Sequence, residues 1–552
     1  MANAASHDYI VVGAGSAGCV LADRLTEDRD TSLLLLEAGG PDRGLMLRIP
    51  AALSWPLQNG LFNWRYQTEP EPGMNGRRMN CPRGKVIGGS STINGMMHAR
   101  GHALDFDGWA KNDLPEWSYA HCLPYFKKAE TYDRGGNDYR GGRGPLRVTA
   151  PRSSNPLYGV FLEAARQAGY SDTSDLNGYR QEGFGVVDQT IHRGRRWSAA
   201  DAYLRPALKR VNLDLVMNAL ALRVLFDGTQ AIGVEYARNG EVQQVFAERE
   251  VILCGGAINS PQLLMVSGIG DADHLGEHDI RVIGHMPSVG GNLQDHLDFC
   301  VQVKCTRPVS YYPATTPLGR LGVGLRWLLT RDGVCATNLM EAGGYIRSRA
   351  DAEHLNLQCT FMALAADYSG ANSYRGHGYQ AFFDLMRPAS RGRVRLKSAD
   401  PRKPPSILFN YLTAEIDRRD AVDGLRLTRE ILGQEAFAPY DGGEFNPGAE
   451  VQTDEEILAW VRATGETEYH PVGTCAMGMG DEAVVDGSLR VHGIDGLRVV
   501  DASVMPDLVS ANTNAATIVL AEKAADAIAG NPPLEPLYAP VYPAGDATHA
   551  PL

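Results

Sequence analysis

A short apolar strand, residues 9–12, runs directly into the hexapeptide GAGSAG, whose glycines are Gly13, Gly15 and Gly18. Gly13 permits the tight turn out of the strand, Gly15 lets backbone approach a pyrophosphate, and Gly18 lets a helix pack close to the strand. A helix is expected over residues 17–26, then a second buried strand, SLLLLE, ending at Glu37. A glycine-rich turn alone is weak evidence, because such turns are common. Here it follows a strand, opens a helix and has a carboxylate at the end of the next strand, about twenty residues on. Phosphates would sit at the positive end of that helix. Ser16, Ala17 and Ala38 would line the same cleft, and Glu37 would accept both hydroxyls of an adenosine ribose while repelling a 2′-phosphate. The expected unit binds a dinucleotide, and the turn does not say which one.

The chain has 552 residues, too many for one simple core and enough for two intimately connected domains. With 44% hydrophobic and 21% charged residues it has the make-up of a globular protein. The net charge of −12 argues against nucleic-acid binding and against a strongly basic membrane surface. No run of 18 apolar residues exists to span a bilayer, which leaves only peripheral membrane contact open. The nine cysteines are odd in number and form no CxxC, as in reduced cytosolic proteins. The first residues, MANAASHD, lack the charged and apolar regions of a signal peptide, so a cytoplasmic location is expected.

From about 210 to 257 the pattern becomes short alternating strands, closed by EVILCGGA, and a helix is expected near Ser260 with Pro261 in its first turn. Residues 310–465 mix strands (EAGGYIRS, RGRVRLKS) with Pro-rich connections and a helix around 414–434. GLRVVDAS reads as a strand and AATIVLAEKAADAIAG as a helix stopped by Gly530, with a poorly ordered tail behind it.

Three further motifs appear in order: RGKVIGGSSTIN at 83–94, GGAINSPQLLMVSGIG at 255–270, and YHPVGTCAMG at 469–478 followed by GLRVVDASVMP and NTNAA. Together they resemble the signatures of the glucose–methanol–choline (GMC) oxidoreductases across nearly the whole chain. RGHALDFDGW, ETEYHPVGT and QDHLDF are most similar to its choline dehydrogenase branch. The resemblance implies an α/β fold: a Rossmann-like FAD-binding domain from 1–155, 195–310 and 466–530, and an interleaved substrate domain from 156–194 and 311–465. The second domain would be built on an antiparallel sheet with helices, and 531–552 would be the tail. It implies FAD as cofactor, with Gly88, Gly89, Ser90, Ser91, Asn94, Gly95 and Met96 along the isoalloxazine ring. Val224 would touch the adenine side, Asp501 and Ala502 the pyrophosphate and ribityl region. The helix starting near Asn514 and Ala515 would aim its N-terminus at the flavin. Relatives that bond FAD covalently use a His where this chain has Ile93, so non-covalent FAD is expected. His98 stands where an aromatic residue is usual.

The resemblance also makes His470 the base that takes the hydroxyl proton during oxidation of an alcohol, for which a neutral imidazole is suited. Asn512 would orient the alkoxide. Electrons would pass to a quinone-like acceptor, with O₂ as the alternative. Choline-specific members hold a trimethylammonium group with an aromatic cage and a carboxylate. Here Asp298 takes the carboxylate position, Trp55 and Tyr469 offer two walls, and Leu339, Met340 and Thr360 replace groups that would complete the cage. The expected substrate is a primary alcohol, with choline not favoured.

Overall fold

A computed structural model describes residues 6–151, 155–367 and 374–542. β1 (Ser6–Val12), α1 (Ser16–Leu25) and β2 (Leu33–Glu37) form where the opening motif puts them. Ile10 and Val11 of β1 and Leu33 to Leu36 of β2 are buried on both faces, as parallel strands covered on both sides require. Four strands follow in the stretch 210–257: β3 (Leu213–Met217), β4 (Ala219–Asp227), β5 (Gln230–Arg238) and β6 (Glu241–Leu253). The first half of β6 pairs antiparallel with β5, and its second half runs parallel to β1. The sheet order is β3-β2-β1-β6-β5-β4. The carboxyl ends of β1 and β6 lie side by side, and in such sheets ligands bind at that edge.

α2 (Gly256–Val266) starts earlier than expected, which places Pro261 inside the helix and not in its first turn. Proline has no N–H for the carbonyl of Ala257 one turn back. The Thr474 hydroxyl donates to that carbonyl instead, at 2.7 Å.

β7 (Leu297–Cys305) belongs to a second sheet, so the boundary expected at 310 falls before residue 297. α3 (Pro317–Thr330), β8 (Met340–Ile346), β9 (Leu357–Met362), β10 (Gly378–Leu385), α4 (Glu415–Leu432), β11 (Asp441–Asn446) and β12 (Glu466–Thr467) follow. The sheet is antiparallel throughout, in the order β8-β9-β10-β7-β11, with β12 also beside β7. Period-two alternation gives it two unlike faces. Phe299, Phe361 and Phe383 form core; Phe361 stacks on Phe161 at 4.8 Å and Phe299 meets Phe383 at 5.0 Å. The alternate residues Asp298, Thr360, Met362, Phe382 and Asp384 line a cavity.

β13 (Leu497–Val499) adds to β6 in parallel, and α5 (Thr513–Ala529) packs on α1 and ends at Gly530, whose φ of 73° is left-handed. The expected loose tail is corrected as far as residue 542. Leu537 N–H donates to Ala120 at 2.9 Å, Tyr139 donates to Pro540 at 2.6 Å, and Arg180 covers the Tyr542 ring at 4.1 Å. Residues 543–552 lie outside the described residues. Among the described residues no helix is long and apolar enough to cross a membrane.

Candidate active site

Two helix N-termini open onto one cavity of about 990 Å³. α1 begins after Gly15, which has no side chain to cap it, and α5 after Asn512, whose side chain does not bond the first turn. The first-turn N–H groups and the helix dipoles therefore give this wall a positive character. Ser16 Oγ donates to Asn514 Oδ1 at 2.7 Å and ties the two ends together.

Close backbone packing builds the floor. A Cβ on Gly18 would lie 1.9 Å from the Gly13 carbonyl oxygen, and one on Gly89 would lie 2.7 Å from the Gly15 Cα. Gly88 N–H donates to the Ala14 carbonyl at 2.7 Å, so the second glycine turn docks directly on the first. Glu37 accepts from the N–H groups of Ala14 (2.9 Å) and Gly39 (2.7 Å), and burial pushes its carboxyl up to about 7. Each of its oxygens keeps a lone pair for a ribose hydroxyl.

Most of the residues named from sequence meet here. Gly13, Gly15, Ser16 and Ala17 line the cavity from the first turn, and Glu37 and Ala38 from the end of β2. Gly89, Ser90, Ser91, Asn94, Gly95 and Met96 line it from the second turn, and Asp501, Ala502 and Asn514 from the C-terminal part. The Asp501 carboxylate itself points to α2, accepting from Gly256 N–H (2.8 Å) and Ser260 Oγ (2.6 Å). Gly18, Gly88 and Ala515 do not line the cavity; the two glycines serve packing and Ala515 is buried in the first turn of α5. Val224 is a correction. It is buried, its N–H donates to Ser267 Oγ at 2.9 Å, and Ala219, Leu220 and Ala221 face the cavity instead. A bulge between Ala221 and Arg223 shifts the alternation of β4. His98 sits 3.1 Å from Glu130 in a buried ion network with Arg100 and Arg140, away from the cavity.

His470 and Asn512 face each other, with Asn512 Nδ2 3.2 Å from His470 Nε2. On its other side, His470 Nδ1 lies 3.2 Å from Glu468 Oε2 and 3.0 Å from His296 Nδ1. With Nδ1 hydrogen-bonded to His296, a proton on Nδ1 leaves the Nε2 lone pair toward Asn512 and the cavity, which is the tautomer a base needs. The segment is pinned through its backbone. His470 N–H donates to Asp295 Oδ1 at 2.6 Å, Arg83 donates to the Tyr469 carbonyl at 2.5 Å, and Tyr411 and Thr467 hold Asp295. Burial pushes the His470 imidazolium down to about 4, with Asp295 opposing and Arg83 adding, and it pushes His296 down to about 3. His470 is therefore neutral near pH 7. Burial also raises the Glu468 carboxyl.

Trp55, Asp298, Met340, Thr360 and Tyr469 all line the same cavity. Sequence reasoning missed the rest of this wall: Glu468, Asp384 and Phe382, with Leu53, Met362 and Leu364 beside them. Asp298 and Asp384 are direct register partners across β7 and β10, as are Thr360 and Phe382 across β9 and β10. Burial, then the charges of Glu468 and Asp298, hold Asp384 well above the usual carboxylate range.

Comparison with known proteins bears on this arrangement. Residues 7–298 and 388–521 match the N-terminal and C-terminal sequence profiles of GMC oxidoreductases. The chain is 53% identical over 548 residues to an oxygen-dependent choline dehydrogenase of Stenotrophomonas maltophilia, covering 98% of each chain. It is 54% identical over 547 residues to one of Pseudomonas aeruginosa, again covering 98% of each. Among solved structures, a pyridoxine 4-oxidase from Mesorbium loti superposes with a TM-score of 0.86 at 31% identity, over 95% of this chain and 100% of that one. A formate oxidase from Aspergillus oryzae does so with a TM-score of 0.90 at 26% identity, over 96% and 99%. The chain belongs to the GMC oxidoreductase family and is an FAD-dependent oxidoreductase.

Proposed function

We propose that the protein oxidises a primary alcohol to its aldehyde with His470 as the base and Asn512 as the group that orients the substrate oxygen. The observation that carries this reading is the His470–Asn512 pair, 3.2 Å apart at the cavity wall with a neutral imidazole between Glu468 and the cavity. Bound FAD would supply the acceptor for the hydride that leaves the carbinol carbon. The chain supplies the rest. Nε2 of His470 takes the hydroxyl proton, and Glu468 and His296 at Nδ1 hold the ring and share the charge that arrives. Asn512 donates to the oxygen that has lost its proton. Two uncapped helix ends, the ribose-facing Glu37 and the glycine floor fit an FAD held without a covalent bond, since Ile93 offers no nucleophilic atom.

For the substrate, the apolar lining of Leu53, Trp55, Leu339, Met340, Met362 and Leu364 supports an aliphatic or aromatic chain behind the hydroxyl. The Asp298–Asp384 pair favours a second reading, an alcohol that carries a cation. The relatives' names carry choline, but a trimethylammonium group has no N–H to give these carboxylates. The apolar cavity also supports a quinone-like acceptor, whereas the relatives' names favour O₂ as the alternative. One preparation tests cofactor and acceptor together. Acid precipitation should leave all flavin in the supernatant, and turnover with a soluble quinone should outrun turnover in air. Flavin in the pellet would overturn the non-covalent reading, and equal rates in air would make the enzyme an oxidase.

A further inference from the structure

α3 has its amphipathic sense reversed. Leu318, Leu321, Leu325, Leu328 and Leu329 recur at i, i+3, i+7, i+10 and i+11, the spacing of one helix face. That face points outward, and these five leucines are 47–84% exposed. Of the fourteen residues of the helix only Trp327 is buried, and its indole N–H donates to the Gly194 carbonyl at 2.6 Å. On the opposite face, Arg320, Val323 and Gly324 line the active-site cavity. α3 thus forms part of the cavity wall, with its leucine face turned outward. A contiguous stripe of this kind marks a surface that something apolar covers.

The surrounding charge says what. The hairpin 191–196 packs against the end of α3, so closely that a Cβ on Gly194 would lie 1.9 Å from the Arg331 carbonyl oxygen. It brings Arg195 beside Arg331, with Arg193 and Arg147 near His192. Arg326 pairs with Asp332 at 2.8 Å, and among the described residues none of the other four has an ion-pair partner. On a chain of net charge −12 this is a local basic collar. An apolar helix face flanked by arginines is the pattern of a helix lying in the plane of an anionic bilayer surface. A second copy of the chain would bring arginines against arginines, whereas an anionic bilayer complements them.

We propose that the leucine face of α3, with the arginine collar at its end, docks the protein on anionic lipid membranes. This concerns where the protein sits, so its test reads binding and is independent of the alcohol chemistry. The FAD-loaded protein is mixed with vesicles of phosphatidylglycerol and phosphatidylcholine and sedimented, beside the Leu321→Glu/Leu325→Glu variant. Neither leucine lines the cavity, so the variant should keep its flavin and its rate with a water-soluble alcohol. Wild type should bind, at least tenfold more strongly than the variant, and binding should weaken in high salt and on pure phosphatidylcholine. Equal binding by variant and wild type, or no binding by either, overturns the proposal. So does a dimer of wild type that the variant loses without any vesicle binding, which would assign the face to a second copy. If the double variant loses flavin, Leu318→Ser and Leu329→Ser give the same readout with a milder change.

Discussion

His470→Ala should lower the rate at which an alcohol reduces the flavin by at least ~100-fold, the low end for loss of a general base. The magnitude follows from position. Among the described residues, His470 is the cavity-lining imidazole, its Nε2 faces Asn512, and its backbone is fixed by Asp295. Flavin content should survive, because His470 holds none of the glycine floor. Asn512→Ala should cost less, since it removes orientation and one hydrogen bond. The pH dependence carries the same information. The active form is the neutral imidazole, and burial has lowered its pKa from the usual 6.5 to about 4. Burial sets it, with Asp295 opposing and Arg83 adding, while Glu468 and His296 face the ring at Nδ1. A base with a lowered pKa stays active as pH falls past 6.5, so stopped-flow reduction should hold its plateau to about pH 5. A wild-type rate in the His470 variant, or a break near 6.5, would remove His470 from the role.

The second large effect concerns selectivity. Hexanol or benzyl alcohol should show kcat/KM at least about tenfold above choline, a difference of about 1.4 kcal/mol. Each methylene buried among Leu53, Met340, Met362 and Leu364 contributes ~0.8 kcal/mol. Phe382 restores one aromatic wall beside Thr360, and a ring over a cation is worth ~0.5–2 kcal/mol. Choline therefore gains something, but desolvating its ammonium next to carboxylates it cannot hydrogen-bond takes much of that away. Some turnover of choline is expected because Asp298 puts a carboxyl group in the cavity wall. An amino alcohol such as 3-aminopropanol does have N–H groups for that pair. Were it to exceed hexanol, the cationic reading would replace the apolar one. Choline ahead by tenfold would show that Asp298, Trp55 and Phe382 suffice to bind it.

What could be read in the sequence was what the chain decides locally. Gly13, Gly15 and Gly18 impose their turn wherever they follow a strand, and Glu37 follows from the length of one helix and one strand. His470 and Asn512 came from motif resemblance, and they meet because β12 and α5 bring them to one wall. Most of the misreadings involve partners remote in the chain. Pro261 reads as a helix start until Thr474 supplies the missing donor. Asp298 and Asp384 become a pair only through the register of β7 and β10. Val224 was misplaced because a bulge in β4 is invisible in a pattern of alternating residues. The leucines of α3 have helical spacing in the sequence, but spacing does not say which way a face points.

Anaerobic mixing of the purified protein with a primary alcohol, without added acceptor, tests the central claim most directly. The visible absorption of the flavin should bleach in a single turnover, with one aldehyde formed for each flavin reduced. Flavin that stays oxidised with aliphatic, benzylic and amino alcohols alike, in protein that retains its FAD, would contradict it.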